Sequence, residues 1–391
     1  MPELLQSIQG LLITLASFVV VLSVVVFVHE FGHFQVARWR GVAIDTFSIG
    51  FGKTLLGWRD KKGVQWKVGA LPLGGYVKFA DDADAMSTAP REKIEDPAAL
   101  AEARKKGLFH AQPLSTRSMV VAAGPITNFI FSIFAFAVLA FAFGRDIASV
   151  ASVEPNSPAS AAGLQAGDVV RSIDGERVQN FQDLQRLIAL APGRTLNLVA
   201  SRGDQEVAVQ ITPRPRADNP QIGSIGITHD SSPANREPIG PVEAVGVGAS
   251  NTWAIIAQTG SYIGGVFTGR ESGNQIAGPL GIINVSGQVA NGALSGGDPD
   301  TTLTDRLGFL ALSLLNLAAV LSVAVGIVNL LPIPILDGGH LLFYAIEGAR
   351  GGKPLPPSAQ EWAYRAGFAV MASLFLFATW NDITRLFPGA Q

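Results

Sequence analysis

Residues 27–34 read FVHEFGHF, and they close a run, residues 4–28, that contains no charged side chain. Ionisable groups at the end of an apolar run of helix length cost free energy, and they mark function by default. His29 and His33 are spaced i, i+4, so on a helix they share one face and both imidazoles can reach one ion. Glu30 projects to one side of that pair. H-E-x-x-H on a helix is the zinc-hydrolase pattern, with two histidine ligands and a glutamate general base. A chance match is the competing reading, because three fixed positions in five recur in long chains. The apolar setting argues against chance. Zinc held there lowers the pKa of a bound water, and Glu30 is placed to take that proton and hand it to a leaving amine.

Working outward, the 391-residue chain is 48% hydrophobic and 15% charged, against about 25% charged in soluble domains. That balance predicts a membrane protein. A net charge of −2 and the lack of a long basic block give no case for a nucleic-acid partner. Without cysteine there is no disulfide and no thiolate metal site. A metal must be held by histidine and carboxylate, and the histidines are His29, His33, His110, His229 and His340.

A helix crosses a bilayer with roughly 20 apolar residues. Four stretches fit: 4–28, 118–144, 307–336 and a shorter one at 366–381 that extends at each end. Residues 245–269, rich in Gly, Ser and Thr, read as an interfacial amphipathic segment instead. A cleaved signal peptide fits the start poorly, since no basic residue precedes the apolar run. Residues 38–117 hold fourteen Lys and Arg, which places 41–116 in the cytoplasm by the positive-inside rule. Both termini and residues 145–306 then lie outside.

The third metal ligand must come from elsewhere. The third span ends NLLPIPILDGGH, residues 329–340, where Asp337 is the first charge after thirty uncharged residues. Pro332 and Pro334 break the helix, and Gly338 and Gly339 let the backbone turn. With four spans, Asp337 emerges on the same side as His29 and His33. A fifth span at 245–269 would put it on the opposite side. The plainer alternative is an Asp that only starts the next helix. His340 reads as a packing residue, and His110 and His229 as surface residues.

HEFGH ending one span and NLLPIPILDGG ending a later one resemble the site-2 protease family of intramembrane zinc metalloproteases, in its bacterial regulator of sigma-E protease branch. LGGYVKF at 73–79, AAGPITNF at 122–129, GPLGI at 278–282 and GGHLLFYAIE at 338–347 extend the resemblance over nearly the whole chain. It implies zinc on His29, His33 and Asp337, with Glu30 as the base. It implies that Asn329 helps position the substrate backbone, and that residues 64–79 with Gly74, Gly75 and Tyr76 are a membrane-reentrant β hairpin that receives an unwound substrate strand. A simple cytoplasmic hairpin is the alternative. The implied partners are single-span membrane proteins, trimmed first by another protease: an anti-sigma factor or a signal-peptide remnant. The implied setting is the bacterial inner membrane, the chain being a monomer in the bilayer and the outer side periplasmic.

Residues 145–230 read as a small α/β fold. A helix starts at Asn180 and a hairpin turns at Arg202-Gly203-Asp204. AGLQAGDVVRSIDG resembles the circularly permuted bacterial PDZ domain, with Ile225, Gly226 and Ile227 in the carboxylate-binding loop. The sigma-E relatives carry two such domains in tandem, whereas one is found here. Peptide binding and a purely steric gate are both open.

The expected fold class is therefore a polytopic α-helical membrane protein: four transmembrane helices, a membrane-reentrant β element and one α/β PDZ domain. The expected segments are 1–40, 41–116, 117–144, 145–230, 231–306, 307–340 and 341–391. A non-proteolytic scaffold that binds partners through its PDZ domain is the alternative function. The complete His, Glu, His and Asp set argues against it, and the peptide-reading elements argue against a lipid hydrolase. Residues 81–110, polar and charged, read as a loop with a short helix of no assigned role.

Overall fold

A computed structural model describes residues 2–80, 94, 96–216, 219–229, 235–274, 276–295 and 301–386. Within residues 81–110, the expected loop at 81–93 and 95 lies outside the described residues. The chain divides into two compact units, residues 1–136 with 248–391, and residues 137–247.

Among the described residues, four helices are long and apolar enough to cross a membrane. They are α1 (Pro2–Trp39), α3 (Leu114–Phe143), α8 (Leu303–Asn329) and α10 (Pro357–Leu386). Helices α1 and α10 extend beyond their apolar runs at both ends, α3 and α8 start four residues before theirs, and α8 stops at Asn329, short of the expected end at 336. The largest extension is α10, which starts at Pro357, a residue suited to a first helical turn.

After α1 come β1 (Ile44–Arg59) and β2 (Gln65–Phe79), which pair antiparallel, and then α2 (Pro97–Lys105). This corrects the hairpin expected within 64–79. Those residues form one strand, and its partner is 44–59. The two long strands double back, so that residues 46–49 face both 75–78 and 65–68. Gly50 and Gly52, at φ +86° and +82°, permit the reversal in β1. Thr46, Phe47 and Ser48 are consequently buried in the middle of the sheet. Residues 75–79 lie at its edge, with no further strand paired to them among the described residues. Phe47 packs edge-on against Phe27 and Phe34 of α1 and lies tilted on Trp66.

Residues 137–247 contain a four-stranded sheet. The short strands β3 (Arg145–Asp146) and β4 (Ser152–Val153) and the turn α4 (Pro158–Ala161) precede it. Then follow β5 (Val169–Ile173), β6 (Glu176–Arg177), α5 (Phe181–Ala189), β7 (Leu196–Arg202) and β8 (Gln205–Ile211), in sheet order β6-β5-β7-β8. Two-residue strands β9 to β12 start at Arg214, Gly223, Ile227 and Arg236. Asn180 caps α5 by accepting from Asp183 N at 2.8 Å. Leu184, Leu196, Leu198 and Ile211 are fully buried in the core.

Asp168, also fully buried, accepts from Arg202 Nε at 2.7 Å and Nη2 at 2.8 Å. The bidentate hydrogen bond from Arg202 holds its carboxyl below the usual range, against the opposing effect of burial. The pair therefore stabilises this unit at neutral pH, and the contribution is lost as pH falls through the lowered pKa. Asp168→Ala leaves a half-exposed guanidinium without its partner and is expected to cost about 2–3 kcal/mol. Thermal unfolding of the full chain across pH measures it. An unchanged midpoint at neutral pH would refute the assignment.

The remaining helices are α6 (Pro241–Phe267), α7 (Pro279–Ser295) and α9 (Asp337–Ala349). Helix α7 packs on α1 and α8. Its start is held by α10, where the buried Asp382 accepts from Gly278 N at 3.0 Å and Gly281 N at 2.8 Å. Helix α9 is tied to α3 by Arg117, which donates to both Glu347 carboxylate oxygens at 2.6 and 3.1 Å and covers the Tyr344 ring.

Candidate metal centre

His29 and His33 stand one turn apart on α1, as their spacing requires, with Nε2 atoms 3.2 Å from each other. Asp337 begins α9, so the carboxylate is both the start of that helix and a third donor. Helix α8 stops at Asn329, and the loop through Pro332 and Pro334 packs so closely on Gly338 and Gly339 that neither position has room for a Cβ. Asp337 Oδ2 lies 3.2 Å from His29 Nε2 and 3.4 Å from His33 Nε2.

The three donor atoms thus form a near-equilateral triangle. A tetrahedral ion with zinc–ligand bonds of about 2.0–2.1 Å sets its ligands about 3.3 Å apart. The edges of the triangle match. Asp337 Oδ2 is also buried without a hydrogen-bond donor, as a ligand oxygen facing an ion would be. These residues fit a zinc ion, with a fourth position left open. Among the described residues, no other group of three His, Asp or Glu side chains is so arranged.

The fit depends on a close crossing of α1 and α3. A Cβ on Gly32 would come 2.5 Å from both Ala123 O and Thr127 Oγ1. A Cβ on Gly124 would overlap the His33 imidazole and approach His29 Cε1 to 2.8 Å. Two glycines therefore make room for the histidine rings between the helices.

The donors open onto a cavity of ≈ 750 Å³ that Glu30, Gly75, Tyr76 and Asn329 also line. A Cβ on Gly75 would meet Glu30 Cγ at 3.0 Å and Ser48 O at 2.8 Å, so the sheet edge lies directly against the glutamate. Gly74, at φ +149°, has the Phe51 ring where a Cβ would be. Tyr76 stacks on Phe51 at 5.9 Å. The Asn329 amide donates to Val325 O at 3.1 Å.

Two histidines differ from the sequence reading. His110 lines the cavity, and His229 is held by Asp146 Oδ2 at 2.8 Å and stacked on Phe181 at 4.1 Å. His340 also lines the cavity, 6.0 Å from the Tyr364 ring. In the other unit, Ile225 O and Gly226 O accept from Ala159 N and Glu154 N at 2.9 Å, and Ile227 pairs with Val153.

A family model described as Peptidase family M50 matches residues 17–374. A protein of Rhizobium meliloti (strain 1021), provisionally named a zinc metalloprotease, is 41% identical over 384 residues, covering 96% of this chain and 97% of its own. Metalloprotease MmpA of Caulobacter vibrioides is 39% identical over 391 residues, 96% of each chain. A solved PDZ domain of an SdrC-like protein from Listeria monocytogenes is 28% identical, covers 20% of this chain and 83% of its own, and has a TM-score of 0.19.

Proposed function

Since the chain belongs to the site-2 protease family, peptidase family M50, we propose that it is an intramembrane zinc endopeptidase acting on the transmembrane segment of single-span proteins already trimmed outside. Zinc metalloprotease chemistry belongs to the family. The observation that carries the finer reading is the edge of β2 lying against Glu30, beside the His29, His33 and Asp337 donors.

A transmembrane helix hides its peptide bonds behind its own hydrogen bonds. An unpaired strand edge offers replacement partners to a stretch that has unwound. Residues 75–79 are such an edge, and Gly75 lets it approach Glu30 closely enough for a bound peptide to reach the metal position. Asn329, at the cavity wall, is suited to bond a freed peptide group. His29, His33 and Asp337 would hold the zinc, which supplies an activated water when bound. Glu30 would take the proton from that water and deliver it to the departing nitrogen.

On this reading the β1–β2 element is reentrant, the metal lies toward the cytoplasmic face of the bacterial inner membrane, and residues 145–230 form a periplasmic PDZ domain. Phe181 at the start of α5 lies flat on His229, just after the strand at Ile227–Thr228. The stack ties the start of α5 to the end of that strand, and for this unit we favour a gate that excludes untrimmed proteins over a receptor for peptide ends. The substrates fitting this arrangement are anti-sigma factors or signal-peptide remnants.

Purified protein in detergent is expected to cut a single-span model substrate inside its apolar segment, with the cut mapped by mass spectrometry. A zinc chelator should stop the reaction and added zinc restore it. Cleavage confined to residues outside the apolar segment would sink the intramembrane reading while leaving a zinc protease.

A further inference from the structure

The histidine ligands each have a second ring nitrogen that faces away from the metal position, and α3 meets both. His33 Nδ1 lies 2.9 Å from Val120 O. A carbonyl only accepts, so this ring carries its proton on Nδ1 and its lone pair on Nε2. His29 Nδ1 lies 3.1 Å from the side-chain amide of Asn128, a fully buried residue within AAGPITNF. We propose that Asn128 is the positioning residue for His29: its amide oxygen accepts the Nδ1 proton, fixes the tautomer and aim of the ring, and thereby sets the zinc affinity of the centre. It acts through His29 and touches neither zinc nor substrate.

Hydrogen-bond chemistry selects the orientation of the amide. With Nδ2 toward His29, the ring nitrogen there must be a lone pair. The ring proton then sits on Nε2, pointing among the donors and blocking a metal. The same orientation leaves Asn128 Oδ1 buried with no donor. Turning the amide by half a rotation places Oδ1 on the Nδ1 proton, which gives that oxygen a donor and frees His29 Nε2 for a metal. Amide oxygen and nitrogen are assigned by such partners, and a zinc-binding histidine donates its remote N–H to an acceptor that fixes it.

The backbone of Asn128 is independently held. Its carbonyl accepts from Ser132 Oγ at 3.0 Å and from Ser322 Oγ of α8 at 3.2 Å, while Ser132 Oγ also reaches Ala319 O at 2.8 Å. Asn128 is therefore fixed where α3 meets α8, with its side chain turned toward α1. The two roles of the residue, helix contact and ring support, use different atoms and can be separated by mutation.

The test is the zinc affinity of the purified full chain in detergent, read by competition with a chromophoric chelator. Asn128→Leu keeps the volume and removes the acceptor, and it is expected to weaken zinc binding about 10–100-fold. Asn128→Asp keeps an acceptor and is expected to bind zinc as tightly as wild type. Ser132→Ala combined with Ser322→Ala removes both hydroxyls from the Asn128 carbonyl, together with the Ser132 contact to Ala319 O, and leaves the Asn128 side chain intact. That pair is expected to lower the thermal midpoint and leave zinc affinity unchanged. Wild-type zinc affinity in folded Asn128→Leu overturns the proposal, as does an equal loss in the serine pair. Where Asn128→Leu is not recovered folded, Asn128→Asp settles it: retained zinc supports ring support, and a loss of about tenfold or more overturns it.

Discussion

Glu30→Gln is expected to lower cleavage of a single-span substrate by about 10²–10⁴-fold, the usual range for a general base, while each chain keeps its zinc. The substitution preserves shape, so the contact with Gly75 is retained. The three donor atoms belong to other residues, so the metal remains held. What disappears is the ability to accept a proton beside the metal position. Single-turnover cleavage and bound zinc must be measured on the same preparation. Loss of both together would make Glu30 a structural support of the centre. Wild-type cleavage by the variant would remove it from the reaction.

Gly124→Ala is expected to abolish zinc retention and with it all cleavage. The added methyl would occupy the place of the His33 imidazole, which can withdraw only by giving up the hydrogen bond from Nδ1 to Val120 O of α3. Either the ring swings out of the donor triangle or α3 moves away from α1. Overpacking of this kind costs about 1–3 kcal/mol in addition. Gly10→Ala is the matched control on α1, since a Cβ there meets nothing within 4 Å. It should keep zinc and full activity, with stability equal or slightly raised. Zinc analysis and thermal midpoints of both variants test the pair. A Gly124→Ala protein that holds zinc normally would mean the helix crossing is wider than described.

The donor set was legible in the sequence because ionisable residues in apolar surroundings are costly enough to stand out singly. His29, Glu30, His33 and Asp337 each interrupt or end an uncharged run, and the i, i+4 spacing of the two histidines follows helix geometry. The strand 44–59 was not legible. Its glycines at 50, 52 and 57 and its Leu55-Leu56 pair blur the alternation, and half of its pairing returns onto β2 a second time. A strand buried on both edges at Thr46 to Ser48 carries no two-faced pattern to read. Asn128 was hidden for a different reason. An uncharged polar residue inside a span is unremarkable, and its partner lies 99 positions away. Only the crossing of α1 and α3 brings them together. The stack of Phe181 on His229 was likewise invisible, being a contact between a helix start and a strand end.

The ion pair between Arg117 and Glu347 has a mechanical consequence for the donor at the opposite end of the same helix. Asp337 and Glu347 are ten residues apart on α9, a distance of about 15 Å along a rigid rod. One end of the rod is wedged by the prolines and paired glycines, and the other is bolted to α3 by two short hydrogen bonds. A rod clamped at both ends transmits play at either clamp to the other. The position of the carboxylate is therefore regulated as much by the Arg117 guanidinium on α3 as by the loop that delivers it, and α3 becomes the common reference frame against which all three donors are measured.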